Sequence, residues 1–247
     1  MMNKIVKELE TRGYKANVVN VVKNGIELTG ITLYKVDETI APVFYKDDIW
    51  DMFSAREIAN LIEEMYADLE VPKVNPDDIT NPDFLRKHTK LCVQPKGNET
   101  GIIKRNYLDL EVYLRCFISD DGSFKVTPEM ETEDLFECAV QNTRRDMEIS
   151  MFGGVMHIAT NADKLLGAGC IYCTDMFADF CKANKVKGCF IIPSSIHELI
   201  LIADDDMSKQ GKYNAMVRDA NAEVVNDAEY LSDHAYYYSL ESNSITW

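Results

Sequence analysis

The stretch GCFIIPSSIHELILIA, residues 188–203, determines the predicted fold. Two short apolar runs, 189–192 and 199–203, lie on either side of the polar segment 193–197. Runs this short and this rich in isoleucine favour strands that are buried on both faces, because an ordinary helix needs more residues. The polar segment would then place two hydroxyls, an imidazole and the carboxylate of Glu198 at one corner of a buried sheet. If the chain carries a chemical site, we expect it at this corner.

The rest of the chain predicts an α+β fold with mixed or antiparallel sheets and packed helices. Helices and strands alternate irregularly, and turn signals typical of hairpins join neighbouring strands, which argues against a doubly wound parallel sheet. Residues 14–46 predict an N-terminal β-meander with a tight turn at Lys23-Asn24-Gly25. A helix over 3–12 precedes it. A second helix, with Ser54 and Glu57 as its cap, is expected to cover it. The apolar positions of that second helix are Ile58, Leu61, Ile62, Met65 and Tyr66.

An acidic segment with three prolines, 70–83, follows the second helix and is typical of a loop or linker. We therefore expect an N-terminal domain over 1–83 and a larger C-terminal α/β part over 84–247, although the two could form one continuous domain. In the C-terminal part, 168–173 predicts a further strand. The clearest helix of the chain is expected to begin after 132–134, where acidic residues crowd its first turn.

The net charge limits the possible partners. The 247 residues include 41 acidic and 26 basic side chains, which gives a formal charge of −15. Such a chain repels phosphate backbones and anionic membrane surfaces, so we expect neither direct nucleic-acid binding nor membrane binding. The acidity could serve solubility alone, or it could form a surface that mimics nucleic acid and docks on a basic protein. Clustering of carboxylates on one face would separate the two.

The chain contains seven cysteines, which cannot all pair with one another, and most of them stand among apolar residues. That usage is typical of a reducing compartment, where cysteine serves as a small core residue. The N-terminus lacks the apolar core of a signal peptide, and no run approaches the roughly 18 apolar residues of a membrane span. The sequence therefore predicts a cytoplasmic protein.

Four of the cysteines could supply the thiols of a structural zinc site: Cys170, Cys173, Cys181 and Cys189. If 168–173 is a strand, however, residues three apart face opposite ways, whereas zinc knuckles hold such pairs on a turn. We therefore expect core cysteines, with no metal and no cofactor, and the zinc site is the alternative.

Ser194, Ser195 and His197 could supply a nucleophile and a base. The usual nucleophile turn is G-x-S-x-G, whereas here Pro193 precedes the serines and no glycine follows them. The simpler interpretation is that both hydroxyls satisfy backbone groups at a bend, while His197 packs or bonds locally.

His157 and His234 share the strand-edge context of His197. Three histidines from three strands could converge on a metal ion, but a half-buried histidine with local partners explains each of them alone. The aspartates 204–206 could hold magnesium, although capping of the following helix explains the same residues. The tyrosines 236–238 alternate between the faces of a strand, so we expect one or two buried rings and an exposed ring as a contact surface.

Several phrases between residues 130 and 245 resemble a known family. In chain order they are NT ending at Thr143, GGVMH ending at His157, TN ending at Asn161, GAG ending at Gly169, IPSSIHE ending at Glu198 and LSDHAYYY ending at Tyr238. Together they resemble a bacterial family of Firmicutes and their mobile elements, the domain of unknown function 5688. The resemblance implies no activity, cofactor or catalytic residue, and a mobile-element setting would favour an accessory or regulatory protein.

The leading hypothesis is a cytoplasmic, non-catalytic protein that binds another protein through an acidic, tyrosine-bearing surface. The first alternative is a hydrolase-type enzyme, with His157, His197 and His234 around Ser194 and Ser195. The second alternative is an acidic nucleic-acid mimic that acts on a basic partner. The contacts of the three imidazoles with the two serines would discriminate between the first two hypotheses.

Overall fold

A computed structural model gives the structure of the protein over residues 1–23, 25–35, 41–69, 75–97, 102–118 and 122–247. The chain divides into two compact units, Met1–Ile79 and Thr80–Trp247. Helices and antiparallel sheets occur in both, so the α+β class is confirmed. The predicted domains 1–83 and 84–247 stay a prediction.

The first unit contains a three-stranded antiparallel sheet in the order β1-β2-β3, which confirms the N-terminal meander. Its helices and strands are α1 (Met2–Thr11), β1 (Lys15–Lys23), β2 (Ile26–Tyr34), β3 (Val43–Tyr45) and α2 (Ala55–Asp68). Short 3-10 helices lie at Asp48–Met52 and Pro76–Thr80. Asn24 of the predicted turn and residues 70–74 of the predicted linker lie outside the described residues.

Helix α2 shares a core with α1 and the meander. Ser54 and Glu57 form the predicted capping box, since Oγ of Ser54 accepts the N–H of Glu57 and the Glu57 carboxylate accepts the N–H of Ser54. The buried side chains of α2 include Ile58, Ile62 and Tyr66, which share one core with residues of α1 and β2. The other two residues of the apolar set, Leu61 and Met65, are exposed.

The second unit contains two antiparallel sheets. Its helices and strands are α3 (Pro82–His88), β4 (Thr89–Pro95), β5 (Lys104–Tyr107), β6 (Leu110–Phe117), β7 (Ser123–Lys125), α4 (Leu135–Asp146), β8 (Met147–Phe152), β9 (Met156–Asn161), α5 (Thr174–Asn184), β10 (Gly188–Pro193), β11 (Leu199–Ile202), α6 (Gln210–Glu223), β12 (Tyr236–Ser239) and β13 (Ser244–Thr246). One sheet has the order β4-β6-β5, with β7 also paired to β6. The other has the order β13-β12-β10-β11-β9-β8.

The strands predicted from 188–203 form the centre of the six-stranded sheet. All six residues of β10 are buried, because the sheet is covered on both faces. On one face Phe190 packs with Tyr213 and Val217 of α6. On the other face Ile191 and the leucines of β11 share a core with α5 and the four-stranded sheet.

The predicted strand 168–173 was wrong. Residues 168–172 belong to a buried 3-10 helix, Gly167–Tyr172, which packs between β4 and β9, and Cys173 follows it as the C-cap. A Cβ atom on Gly169 would overlap the carbonyl oxygen of Leu91, so only glycine permits this close approach. A short apolar run between turn signals fits a buried helix as well as a buried strand, and tertiary contacts decide between them.

Candidate functional site

In the polar corner between β10 and β11, Ser194 and Ser195 form hydrogen bonds with residues close to them in the sequence. Oγ of Ser194 donates to the carboxylate of Glu198 at 3.3 Å. Oγ of Ser195 accepts the backbone N–H of His197 at 3.0 Å. Both bonds are of the kind expected at a bend. In neither of them does a serine hydroxyl meet the imidazole.

The imidazole of His197 is held by backbone and carboxylate groups. Its Nδ1 accepts the N–H of Leu166 at 3.1 Å, and its Nε2 lies 3.8 Å from the Glu229 carboxylate. In the neutral ring the proton therefore resides on Nε2, facing Glu229. The carbonyl oxygen of His197 accepts from Thr160 Oγ1 and from the N–H of Gly167. The residue thus ties the corner to the end of β9 and to the start of the 3-10 helix.

His157 lies on β9, opposite Leu201 of β11 and Met151 of β8. Its ring packs edge-on against Phe180 of α5, with 5.0 Å between the centroids. Its Nδ1 is buried and has no hydrogen-bond partner among the residues that the structure describes. Its surroundings are therefore apolar on the side of α5.

His234 contacts a different set of residues. Its Nδ1 lies 3.0 Å from Asp233 Oδ1 and 3.3 Å from Ser232 Oγ, and its Nε2 lies 3.5 Å from Asp109 Oδ2. The ring also stacks at 6.4 Å on Trp247. Asp109 lies in the turn between β5 and β6, so no local sequence pattern could predict this pairing. Ser232 is buried, and the series Ser232–His234–Asp109 therefore presents no accessible nucleophile.

The three imidazoles therefore contact three different sets of residues. The structure brings Ser194, Ser195, His197 and Glu198 together, while the contacts of His157 and His234 are with other residues. Within the described ranges, no group of three or more His, Cys, Asp or Glu side chains is placed to hold a metal ion.

All seven cysteines are free thiols, and every one except Cys138 is buried. Burial raises the pKa of Cys173 to about 12 and raises that of Cys170 well above its ordinary value. A hydrogen bond between the thiols of Cys181 and Cys189 lowers the pKa of Cys181 and, together with burial, raises that of Cys189. Three of the four candidate zinc ligands, Cys170, Cys181 and Cys189, thus belong to the core between α5, the 3-10 helix and β10, and Cys173 is buried beside them in the chain.

The prediction of an exposed tyrosine in 236–238 was wrong. All three rings are at most 6 % exposed, because the two faces of β12 are both covered. Tyr237 packs on the α6 side, while Tyr236 and Tyr238 pack on the side of the four-stranded sheet and α5. The tyrosines therefore form no contact surface.

Capping is confirmed for Asp206, whereas Asp205 accepts the backbone N–H of Lys187 at 3.3 Å. The carboxylate of Asp206 accepts the N–H of Ser208 at the start of the 3-10 helix Met207–Lys209, which leads into α6. Asp204 accepts from Lys209 at 2.7 Å and from the hydroxyl of Tyr213 at 3.0 Å, and the Lys209 bond holds its pKa below the ordinary range. Both carboxylates have partners within this capping region.

A shallow cavity of about 270 Å³ lies near the start of β4 and the end of β6. Its lining residues are Lys87, His88, Lys90, Phe117, Ile118 and Asp163. The Lys90 ammonium already pairs with Asp146 and with Asp163. The charge of Lys90 is therefore compensated, whereas Lys87 forms no ion pair within the described ranges.

The outer strand β8 exposes apolar side chains. Within the described part of the chain, β8 pairs only with β9 and ends the six-stranded sheet. Four side chains on this hairpin are between 38 and 71 % exposed, and we call them the open-edge patch: Ile149, Met151, Phe152 and Val155. Sequence reasoning missed this surface because it assigned no element to most of β8.

Residues 153–240 match the Family of unknown function (DUF5688). The match confirms the resemblance over these residues. It includes the three histidines, Ser194, Ser195 and the four proposed zinc ligands, but of the open-edge patch only Val155. No curated protein and no solved structure matches the chain. The bacterial and mobile-element setting stays a prediction.

No helix in the described ranges is both long enough and apolar enough to cross a bilayer.

Proposed function

We propose that the chain is a non-catalytic accessory protein that binds another protein, and that the open-edge patch is its contact surface. The exposure of four large apolar side chains on one hairpin carries this proposal. Ile149 and Met151 lie on one face of β8 and Phe152 lies on the other, so both faces of this outer strand expose apolar surface. Single exposed apolar residues are ordinary, but a group of them on one surface element is typical of an interaction site.

The backbone of β8 supports the same function. An outer strand presents unpaired N–H and C=O groups, and many proteins protect such strands with lysine, proline or a bulge. The sequence of β8, MEISMF, contains neither lysine nor proline and only one charged residue, Glu148. A strand of a partner protein could pair with β8 and bury the open-edge patch at the same time.

The contacts of the polar corner favour binding over hydrolysis. The hydroxyls of Ser194 and Ser195 bond to Glu198 and to the His197 backbone, and the His197 ring accepts from Leu166. A hydrolase-type site would have to break these bonds before a serine could meet an imidazole. The seven free cysteines support a reducing compartment such as the cytoplasm, and the charge of −15 supports a protein partner rather than nucleic acid.

The double variant Met151→Gln/Phe152→Gln tests the proposal, because it removes apolar surface without changing the charge. Val224→Gln is the matched control, since Val224 is 82 % exposed outside the patch. We expect a partner to be captured from host lysate by the wild type and by the control, and to be lost with the double variant. Hydrogen exchange of the recovered complex should show protected amides in β8. Equal capture by the double variant would contradict the proposal.

A further inference from the structure

Helix α2 carries an exposed apolar stripe. Leu61, Met65 and Leu69 are each between 39 and 49 % exposed, and we call them the α2 stripe. Residues four apart lie one above the other on a helix, so the first two form a continuous line on α2, and Leu69 extends that line at the C-cap.

The α2 stripe faces away from α1. Glu63 marks the side of α2 nearest α1, because its carboxylate accepts from Arg12 at 2.8 Å. A helix turns about 100° per residue, so Leu61 and Met65, two residues on either side of Glu63, lie about 160° from it around the axis. The buried side chains of α2 lie between these two sides. The stripe is therefore not covered by α1.

Carboxylates border the α2 stripe on its solvent side. Glu57, Glu64 and Asp68 are exposed and, at spacings of seven and four residues, form a second line beside it. Residues 57–69 contain four acids and neither lysine nor arginine. Glu57 caps the helix, and its hydrogen bonds with Ser54 keep its pKa below the ordinary range. Glu64 and Asp68 form no ion pair with any other described residue.

We propose that α2 is the docking site for a basic amphipathic helix of a partner protein. Apolar residues of that helix, three and four apart, would pack on Leu61, Met65 and Leu69. Its lysine or arginine residues would face Glu57, Glu64 and Asp68. This interface lies in the first unit and does not depend on the open-edge patch.

Charge complementarity selects this occupant over two others. A second copy of the chain would place the acids of one α2 against the acids of the other, which is unfavourable. An anionic membrane surface would meet the same carboxylates and be repelled. A helix with basic flanks can pack its apolar residues on the α2 stripe and pair its charges with the neighbouring carboxylates.

The test measures binding of model helices to the full chain by fluorescence anisotropy. The probe is a labelled peptide of about 18 residues that contains only leucine and lysine in an amphipathic helical pattern, and its counterpart carries glutamate in place of lysine. We expect the lysine peptide to bind, more weakly as salt is raised, and the glutamate peptide not to bind. Absence of binding by the lysine peptide overturns the proposal.

Variants locate the binding surface. Leu61→Gln/Met65→Gln should weaken binding about tenfold or more, since it removes apolar contact area without changing the charge. Met216→Gln on α6 is the matched control, because Met216 is also 40 % exposed on a helix, and it should bind as the wild type does. Glu64→Gln/Asp68→Asn should also weaken binding. Unchanged binding in either double variant overturns the proposal, because the contact would then be charge attraction alone or would not involve these acids.

Analytical sedimentation tests whether a second copy of the chain, rather than a partner helix, occupies the α2 stripe. We expect no dimer that depends on Leu61 and Met65. A dimer that is lost in Leu61→Gln/Met65→Gln would show that a second copy occupies the stripe and would overturn the proposal. The open-edge variant Met151→Gln/Phe152→Gln should bind the lysine peptide as the wild type does, so the two interfaces can fail separately.

Discussion

The hydroxyl of Tyr236 donates a 2.7 Å hydrogen bond to Oδ1 of Asp109, a residue 127 positions away in the sequence. Tyr236 is fully buried in β12, and Asp109 lies in the turn between β5 and β6. The second oxygen of the same carboxylate lies 3.5 Å from Nε2 of His234. This small network connects the two sheets of the second unit.

Tyr236→Phe should lower the free energy of unfolding by about 1.5 to 3 kcal/mol, the usual value of a hydrogen bond to a charged group. Tyr238→Phe is the control, because that hydroxyl donates to the neutral side chain of Asn243 at 2.8 Å, and its loss should cost only about 1 kcal/mol. Urea denaturation measures both variants. Equal losses would show that the Asp109 charge adds nothing to the bond.

Glu111 should make stability depend on pH. Burial acts to raise the pKa of Glu111, but hydrogen bonds from Lys104 at 2.8 Å and Gln94 at 3.1 Å outweigh it, so the pKa lies below the ordinary value of 4.5. A lowered pKa in the folded state stabilises the fold above 4.5, and the benefit is lost as pH falls through the folded-state value.

The stability difference between wild type and Glu111→Gln should therefore shrink as pH falls from about 6 to about 3. Urea denaturation across this range measures it. Glu148→Gln on the exposed strand β8 is measured in parallel as the charge-matched control. A difference for Glu111→Gln that stays constant with pH would contradict the prediction.

Two glycine substitutions should have opposite effects. Gly169→Ala would force a methyl group into the carbonyl oxygen of Leu91, so we expect a loss of about 3 kcal/mol or more. Gly211→Ala lies in α6 with open space around the new methyl group and should raise stability by up to about 1 kcal/mol. Thermal unfolding monitored by circular dichroism measures both. A tolerated Gly169→Ala would mean that the 3-10 helix packs less closely on β4 than described.

His197→Ala should lower stability by about 1 to 2 kcal/mol, because the N–H of Leu166 loses its acceptor. Ser194→Ala should change stability by less than about 0.5 kcal/mol, since its bond to Glu198 is long and only partly buried. Chemical denaturation separates the two effects. A hydrolase-type site predicts the reverse for His197→Ala: unchanged stability together with a lost activity.

Local signals predicted the parts of the fold that depend on neighbours in the sequence. The capping box of Ser54 and Glu57, the meander and the strands of 188–203 each follow from spacing or composition over a few residues. Local signals did not predict the 3-10 helix at Gly167–Tyr172. Its position depends on the contact of Gly169 with Leu91, which lies far away in the sequence.

The errors on surfaces have a similar cause. Helical spacing grouped Leu61 and Met65 with the buried positions of α2, but they are exposed because the core of the first unit is narrower than the apolar arc of this helix. Alternation placed a tyrosine of β12 at the surface, but α6 covers the second face of that strand. The pairing of His234 with Asp109 requires the docking of two sheets, which no single stretch of sequence encodes.

The buried cysteines of the second unit can report when its core opens transiently. Every cysteine lies beyond residue 91, and the six buried ones should react slowly with alkylating reagents, because the reagent cannot reach them while the core is closed. Modification rates counted by mass spectrometry would therefore record transient exposure of that core, residue by residue. The first unit contains no sulfhydryl, so in a Cys138→Ser background, which removes the one native thiol that is not buried, a cysteine introduced there would attach a dye beside α2.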